Sequence, residues 1–393
     1  MITTINNKHN KLNVPNLRFK EFQGEWEYFL INDVCSEFKS GKNIKADSVF
    51  ECGEYPVYGG NGLRGYTSSY NHEGSYVLIG RQGALCGNVR SVYGKTYITE
   101  HAIAVAGNEK SNTNFLHYLF LKMNLGQYSD QSAQPGLAVN KLLKLKVALP
   151  IISEQTKIAK FLSLLDERIA TQSKIIDKLQ SLIKGMEDNL LDNPLWKKTY
   201  LRSFMQFFPT NSLSWEQLSY KEGAIRNLHY GLIHGLQTRG INSVSLPMIK
   251  NEAIPKQYTL CQVGDVAFAD ASEDTGEIAK SVEFVDTIEG DTICGLHTIH
   301  GRDIKNRTVV GFKGFAFNSR YFHNQIKRLA QETKVFSITA NNLSSCYVYL
   351  PDLETQKAIV NLLKTYEAKL LVSKRLLEHY EKQKQYLLRQ MFI

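Results

Sequence analysis

The sequence predicts an α+β protein with a pseudo-twofold internal repeat, in which two mixed α/β domains are separated by two long helices packed as an antiparallel coiled coil. Two observations predict this fold: the chain matches itself at an offset of 201 residues, and a stripe of apolar residues with helical spacing follows each matching segment. The predicted parts are an N-terminal domain at 1–152, a central helix at 153–201, a C-terminal domain at 202–352 and a final helix at 353–393.

The repeat contains a short strand that ends in Leu-Pro and a helix that follows it. The matching pairs are Asn140 with Asn341, Leu142 with Leu343, Val147 with Val348, Leu149-Pro150 with Leu350-Pro351, Gln155 with Gln356, Ile158 with Ile359 and Leu162 with Leu363. Ser153 and Thr355 follow the prolines and are candidate N-caps, because their side-chain oxygens can accept free N–H groups of a first turn.

The apolar stripes advance in alternating steps of four and three, which keeps one face of a helix on one partner. The first stripe is Ile158, Leu162, Leu165, Ile169, Gln172, Ile176, Leu179, Ile183, Met186 and Leu190, and the second is Ile359, Leu363, Tyr366, Leu370, Ser373, Leu377, Tyr380, Lys384, Leu387 and Met391. Both stripes are interrupted by a polar residue at the same step, Gln172 in the first and Ser373 in the second. Such a residue either fixes the helix register or marks a position near solvent. The two helices are expected to pair within the chain; homodimerisation is the alternative.

The two globular segments read as mixed α/β structure. Trp26 is expected to open the first and Trp215 the second. Strands are predicted at 55–58, 75–79, 96–105, 263–269, 281–285 and 308–312. Helices are predicted at 113–125 and 320–332.

Composition limits the class of protein. No apolar run is long enough to span a membrane, and the polar segment Met1–Lys11 does not resemble a secretory signal, so we expect a cytoplasmic protein. The six cysteines are scattered without zinc-site spacing, which predicts free thiols and no metal site. The net charge of +9 is diffuse: residues 26–152 carry 12 basic and 10 acidic side chains, and residues 202–352 carry 15 of each. The charge therefore permits a polyanionic partner without requiring one.

We find no catalytic motif. Gly60–Gly65 matches G-x-G-x-x-G, but Tyr66–Tyr70 is a poor helix sequence, so a turn that brings Asn61 and Arg64 close to another backbone is favoured over a dinucleotide site. A Walker-A loop and an HExxH motif are both missing. This pattern favours a binding protein over an enzyme.

Polar side chains on glycine-containing loops are candidates for reading DNA bases. Arginine pairs with guanine and Asn or Gln with adenine through two hydrogen bonds, while simple solvation is the alternative role of such loop residues. The predicted DNA-contacting residues are Lys42, Asn61, Arg64, Arg81, Gln82 and Gln134 in the first domain, and His229, Tyr230, His234, Ser272, Glu273 and His300 in the second.

These segments resemble the specificity (S) subunits of type I restriction–modification enzymes. The resemblance is carried by Asn16–Phe19, Gly24–Glu27, Tyr55–Gly62, Ile79–Gly83, Gln134–Leu137, the doubled Leu-Pro…Gln helix and Val263–Asp270, and it covers nearly the whole chain.

The resemblance implies two target-recognition domains that each read half of a bipartite DNA target, with the helices setting the spacing. It implies two modification subunits, which bind S-adenosylmethionine and methylate adenine. It also implies restriction subunits, which use ATP and magnesium, while no cofactor is expected on this chain. Two other readings stay open: a coiled-coil scaffold whose domains bind proteins or glycans, and an enzyme with an unrecognised centre.

Overall fold

The protein is described from a computed structural model that covers residues 2–4, 13–130, 136–236, 239–241, 245–274, 276–286, 290–329 and 336–393. The chain divides into two compact units, which we call unit 1 (Met1–Ser173 with Arg375–Ile393) and unit 2 (Lys174–Lys374). Each unit is mixed α/β, as predicted. No helix within the described ranges is both long and apolar enough to cross a bilayer.

Unit 1 is built around a six-stranded sheet with the order β4-β9-β7-β8-β5-β6. Its neighbouring strands are antiparallel except for the parallel pair β5 and β8. The strands of the unit are β1 Ile2–Thr4, β2 Leu17–Phe19, β3 Glu27–Leu30, β4 Cys35–Ser40, β5 Tyr55–Gly59, β6 Gly62–Thr67, β7 His72–Gly80, β8 Val89–Ile98, β9 Ala102–Gly107 and β10 Lys146–Leu149.

Helices cover one face of this sheet and complete its core. They are α1 Ile31–Val34, α2 Thr113–Met123, α3 Val139–Leu142 and the beginning of α4 Ile152–Leu190. Asn112 is the N-cap of helix α2. Its side chain accepts hydrogen bonds from the backbone N–H groups of Asn114 and Phe115 at 2.9 and 3.1 Å. The apolar face of α2 shares its core with Trp26 and with Phe392 near the end of the chain.

Unit 2 contains a five-stranded sheet, β12-β21-β17-β19-β15, and a four-stranded sheet, β13-β16-β14-β20. Its strands are β11 Lys197–Tyr200, β12 Met205–Phe208, β13 Leu218–Ser219, β14 Arg226–Leu228, β15 Gly240–Ile241, β16 Met248–Ile249, β17 Val266–Ala269, β18 Ala271–Ser272, β19 Ser281–Phe284, β20 Thr292–Cys294, β21 Thr298–Asp303, β22 Phe336–Ser337 and β23 Tyr347–Leu350. Its shorter helices are α5 Tyr230–Gly235, α6 Phe312–Ala316, α7 Arg320–Leu329 and α8 Ala340–Ser345.

The long helices follow the predicted repeat. Helix α4 begins at Ile152, and the last helix, α9 Leu353–Gln390, begins 201 residues later, as β23 does relative to β10. In unit 1 the beginning of α4 lies against the end of α9, where Lys384 and Asp166 form an ion pair. In unit 2 the end of α4 shares a core with the beginning of α9. The helix segments are therefore antiparallel in each unit.

The helices start one or two residues earlier than the predicted caps. Ser153 and Thr355 lie inside the first turns of α4 and α9. At the second helix Asp352 is the capping residue, because its carboxylate accepts hydrogen bonds from the backbone N–H and the hydroxyl of Thr355 at 2.9 and 2.8 Å. These two bonds lower the pKa of Asp352. The charged carboxylate of Asp352 thus takes the role predicted for Thr355.

A buried glutamine after each Leu-Pro ties the helix to its own unit. Gln155 accepts a hydrogen bond from the Asn112 N–H at 2.8 Å and donates to the carbonyl groups of Lys110 and Pro150. Gln356 does the same with the Val309 N–H and the carbonyl groups of Arg307 and Pro351. Both side chains are fully buried. The repeated sequence thus encodes a repeated polar anchor.

The start of the second globular segment differs from the prediction. Strand β3 follows Trp26 and pairs with β10, whereas the equivalent strand β11 follows Trp196 and pairs with β23. Trp196 is therefore the counterpart of Trp26, and the assignment of Trp215 to this position is wrong. The tryptophan-glutamate pair at Trp215 gave a local match that strand pairing does not support.

Two predicted strands also change. The run 96–105 divides at Thr99–His101 into β8 and β9. The run 308–312 is a turn that enters α6, because Gly311 has a φ of +95° and Asp303 accepts hydrogen bonds from the N–H and hydroxyl groups of Thr308. The predicted helix at 320–332 is observed as Arg320–Leu329, and its remaining positions lie outside the described residues.

Candidate functional site

The loops at one edge of the unit 1 sheet bring five of the predicted DNA-contacting residues into one neighbourhood. We call these residues, together with Arg90, the loop cluster: Lys42, Asn61, Arg64, Arg81, Gln82 and Arg90. Each is exposed except Arg81, which is partly buried. The sixth predicted residue of this domain, Gln134, lies outside the described residues.

The Gly60-Asn61 turn is packed directly against the backbone that carries Arg81. This two-residue turn joins β5 to β6, and a Cβ atom on Gly60 would lie 2.6 Å from the His101 carbonyl oxygen and 3.4 Å from the Cα of Gly80. Only glycine fits so close to another backbone segment. The residues after this turn form β6, whereas a dinucleotide-binding fingerprint leads into a helix.

Arginine side chains lie over the glycines of the same turn. A Cβ atom on Gly59 would be 2.9 Å from Cδ of Arg64, and one on Gly62 would be 3.1 Å from Cζ of Arg90. Arg90, at the start of β8, had no distinguishing signal in the sequence. The side chains of Arg64 and Arg90 therefore both lie against the glycines that flank the Gly60-Asn61 turn.

Backbone hydrogen bonds fix the remaining loops. The N–H of Arg81 donates to the His101 carbonyl at 2.9 Å, and the Arg81 carbonyl accepts from Leu137 at 2.9 Å. Gln82 bridges to Gly136, and Lys42 donates its N–H to the Ile98 carbonyl at 3.0 Å. Four basic groups and two side-chain amides are thus carried by braced loops and by the adjoining strands β6 and β8.

In unit 2 the predicted residues His229, Tyr230 and His234 lie close to two further rings. We call the five side chains the ring cluster: Trp215, His229, Tyr230, His234 and His297. The Trp215 and His229 rings are 4.4 Å apart, and Tyr230 lies 4.7 Å from His229 and 5.2 Å from His297. His229 is buried and caps α5 by accepting the Gly231 N–H. Burial and the neighbouring His297 lower the pKa of His229, which favours a neutral ring.

The exposed members of the ring cluster are Trp215 and His297, which are 46% and about 50% exposed. His297 has a φ of +52°, a conformation uncommon for residues other than glycine, and its ring bonds to Asp270 at 3.0 Å. Neither residue is in the predicted DNA-contacting set. A non-glycine residue held in this conformation is often part of a functional surface.

The other predicted residues of unit 2 have different environments. His234 hydrogen bonds to the carbonyl oxygen of Ala271 at 3.3 Å, which places it beside Ser272. Ser272 accepts the Asp274 N–H in a turn, and Glu273 is exposed. His300 is 1% exposed and its Nε2 hydrogen bonds to Asp265 at 2.7 Å, so this side chain belongs to the core.

These features define a two-unit α+β protein in which each unit contains segments of both long helices and carries a cluster of polar or aromatic side chains. Residues 23–181 match the family model for the type I restriction modification DNA specificity domain. This part of the chain is therefore similar to the DNA specificity domain of type I restriction–modification enzymes.

Relatives and solved structures are consistent with this family. The chain is 42% identical over 154 residues to the EcoprrI specificity subunit of Escherichia coli, a match that covers 38% of each protein. It is 25% identical over 404 residues to the MjaVIII specificity subunit of Methanocaldococcus jannaschii, which covers 93% of each. Its fold is similar to the type I restriction-modification system S subunit from M. genitalium, with a TM-score of 0.65, 15% identity, and coverage of 97% of this chain and 99% of that one.

Proposed function

We propose that this chain is the non-catalytic DNA-reading subunit of a type I restriction–modification complex. Unit 1 and unit 2 each read one half of a bipartite DNA target, and the long helices set the gap between the half-sites. The loop cluster carries this proposal: it combines guanidinium and amide groups, which can pair with base edges, with further basic groups for phosphates.

The partners are proposed from the family. Two modification subunits would bind S-adenosylmethionine and methylate adenine, and restriction subunits would use ATP and magnesium in the cytoplasm. The internal repeat supports two modification subunits, because α4 and α9 each follow an equivalent strand and each contain an equivalent buried glutamine. His300 is omitted from the DNA-contacting set because it is inaccessible.

The first experiment is to co-express the chain with its modification subunit and to sequence the genomic DNA of the host for N6-methyladenine. We expect a two-part motif with a fixed gap, and exchange of residues 26–150 alone should change only one part. An unmethylated genome despite a stable complex would contradict the proposal.

Two substitutions at Arg81 distinguish base reading from general attraction to DNA. Arg81→Ala should weaken binding by about 1–3 kcal/mol at the correct sequence and relax one base position. Arg81→Lys keeps the charge but cannot form the bidentate contact, so it should retain nonspecific affinity while losing the same base preference. Binding is measured by fluorescence anisotropy at two salt concentrations, and unchanged sequence preference in both variants would reject the role of Arg81.

A further inference from the structure

Three potential metal-ligating side chains of unit 2 meet in its interior. The Sγ atoms of Cys261 and Cys294 are 3.6 Å apart, and these sulfurs and a ring nitrogen of His300 all lie within 4.8 Å of one another. All three residues are buried. They come from distant sequence positions, which is why no zinc spacing was visible in the sequence.

The backbone holds the three side chains in place. Cys294 ends β20 and His300 lies in β21, while the Cys261 N–H donates to the Thr292 carbonyl of β20 at 2.8 Å. Each ligand is therefore carried by a strand or by a segment paired with one. A preorganised set of this kind needs little rearrangement to surround an ion.

We infer that Cys261, Cys294 and His300 form a binding site for a single Zn²⁺ ion in unit 2. With Zn–S bonds of about 2.3 Å and tetrahedral angles, two cysteine sulfurs on one zinc ion lie roughly 3.8 Å apart. The observed separation of 3.6 Å is close to this value. The fourth position of the ion would be filled by a water molecule.

Asp265 supports the histidine as a metal ligand. Its carboxylate oxygen lies 2.7 Å from Nε2 of His300, so that nitrogen donates and Nδ1 is left with the lone pair that a metal requires. A carboxylate behind the ligating histidine is a common arrangement at zinc sites. Arg302 neutralises the same carboxylate through hydrogen bonds of 2.8 and 2.7 Å.

The charge of the site also suits a divalent cation. Asp265 and Arg302 balance each other, so two thiolates and one Zn²⁺ ion leave the buried site neutral. Without a cation, the two thiols lie within hydrogen-bonding distance of each other. Zinc binding would release one proton from each thiol and form two Zn–S bonds without any oxidation or reduction.

The alternative to a zinc site is a hydrogen bond between the two thiols, which gives a similar separation of the sulfur atoms. The chain is incubated with one equivalent of Zn²⁺ and desalted. Its metal content is then measured, and the thiols of the folded protein are titrated with a disulfide reagent. We expect close to one zinc per chain, and Co²⁺ in its place should show thiolate-to-cobalt charge-transfer absorption.

Cys294→Ser should lower bound zinc at least tenfold. Cys346→Ser is the matched control, because Cys346 is equally buried in unit 2 but lies in a different core cluster. If Cys294→Ser fails to fold, the cobalt spectrum of the unsubstituted chain decides. Less than about a tenth of a zinc per chain together with no cobalt–thiolate band would overturn the inference, as would equal zinc loss in both variants.

Discussion

Replacing the buried glutamine Gln155 by leucine should loosen unit 1 in a way that can be calculated from its contacts. Leucine has a similar volume but cannot accept the Asn112 N–H or donate to the Lys110 and Pro150 carbonyl groups. Each hydrogen bond contributes about 1 kcal/mol net, and a buried donor without a partner costs about 1–3 kcal/mol. We therefore expect the free energy of unfolding to fall by roughly 3 kcal/mol.

The assay combines urea unfolding with hydrogen–deuterium exchange measured by mass spectrometry. Gln155→Leu should lower the urea midpoint and speed amide exchange around Asn112, whereas Gln356→Leu should speed exchange around Val309. Gln385→Leu is the control, because Gln385 is exposed on α9 and its replacement should change the free energy by less than about 0.5 kcal/mol. Unchanged exchange at Asn112 with a control-sized midpoint shift would refute the anchoring role.

Three further predictions concern the core and the ring cluster. Phe392→Ala should destabilise unit 1 by about 3–5 kcal/mol in urea unfolding, because the Phe392 ring packs edge-on to Trp26 with centroids 6.4 Å apart; a loss below about 1 kcal/mol would contradict this packing. Asp265 should confer acid sensitivity: burial raises its pKa, but hydrogen bonds from Arg302 and His300 outweigh this and lower it. Its stabilising effect is therefore present above the unfolded pKa of about 3.9 and is lost as pH falls through the lower folded value. Asp265→Asn should flatten the acid limb of the thermal stability profile, and an unchanged limb would exclude this residue as its source. Trp215→Ala should weaken binding to one half-site only in anisotropy titrations with half-site mutants, whereas an equal loss at both half-sites would indicate a general folding defect.

The long helices and their repeat could be predicted because their information is local and periodic. Apolar side chains at steps of three and four specify a helix face without knowledge of its partner. The position of Trp196 could not be read in this way, because its equivalence to Trp26 is established by strand pairing. Similarly, 308–312 is rich in β-branched residues, but Gly311 and the carboxylate of Asp303 impose a turn.

Most residues of the loop cluster could be predicted from the sequence, because glycines mark where a loop approaches another backbone segment. Burial was not accessible, so His300 was assigned to the DNA-contacting set although strand β21 directs it towards Asp265. Trp215 and His297 are not in the predicted DNA-contacting set, because their neighbours in the ring cluster come from separate segments. The conformation of His297 depends on its tertiary contacts and leaves no local sequence signal.

Unit 1 takes residues from two distant parts of the chain, whereas unit 2 is a single continuous segment. On the ribosome, residues 174–374 are all synthesised before Arg375 emerges, so unit 2 has its full set of residues first. The core of unit 1 includes Leu387, Met391 and Phe392, and it stays incomplete until these residues have been synthesised. The nascent N-terminal segment therefore exposes apolar surface while the whole of unit 2 is being made, and this exposure creates a need for chaperone protection.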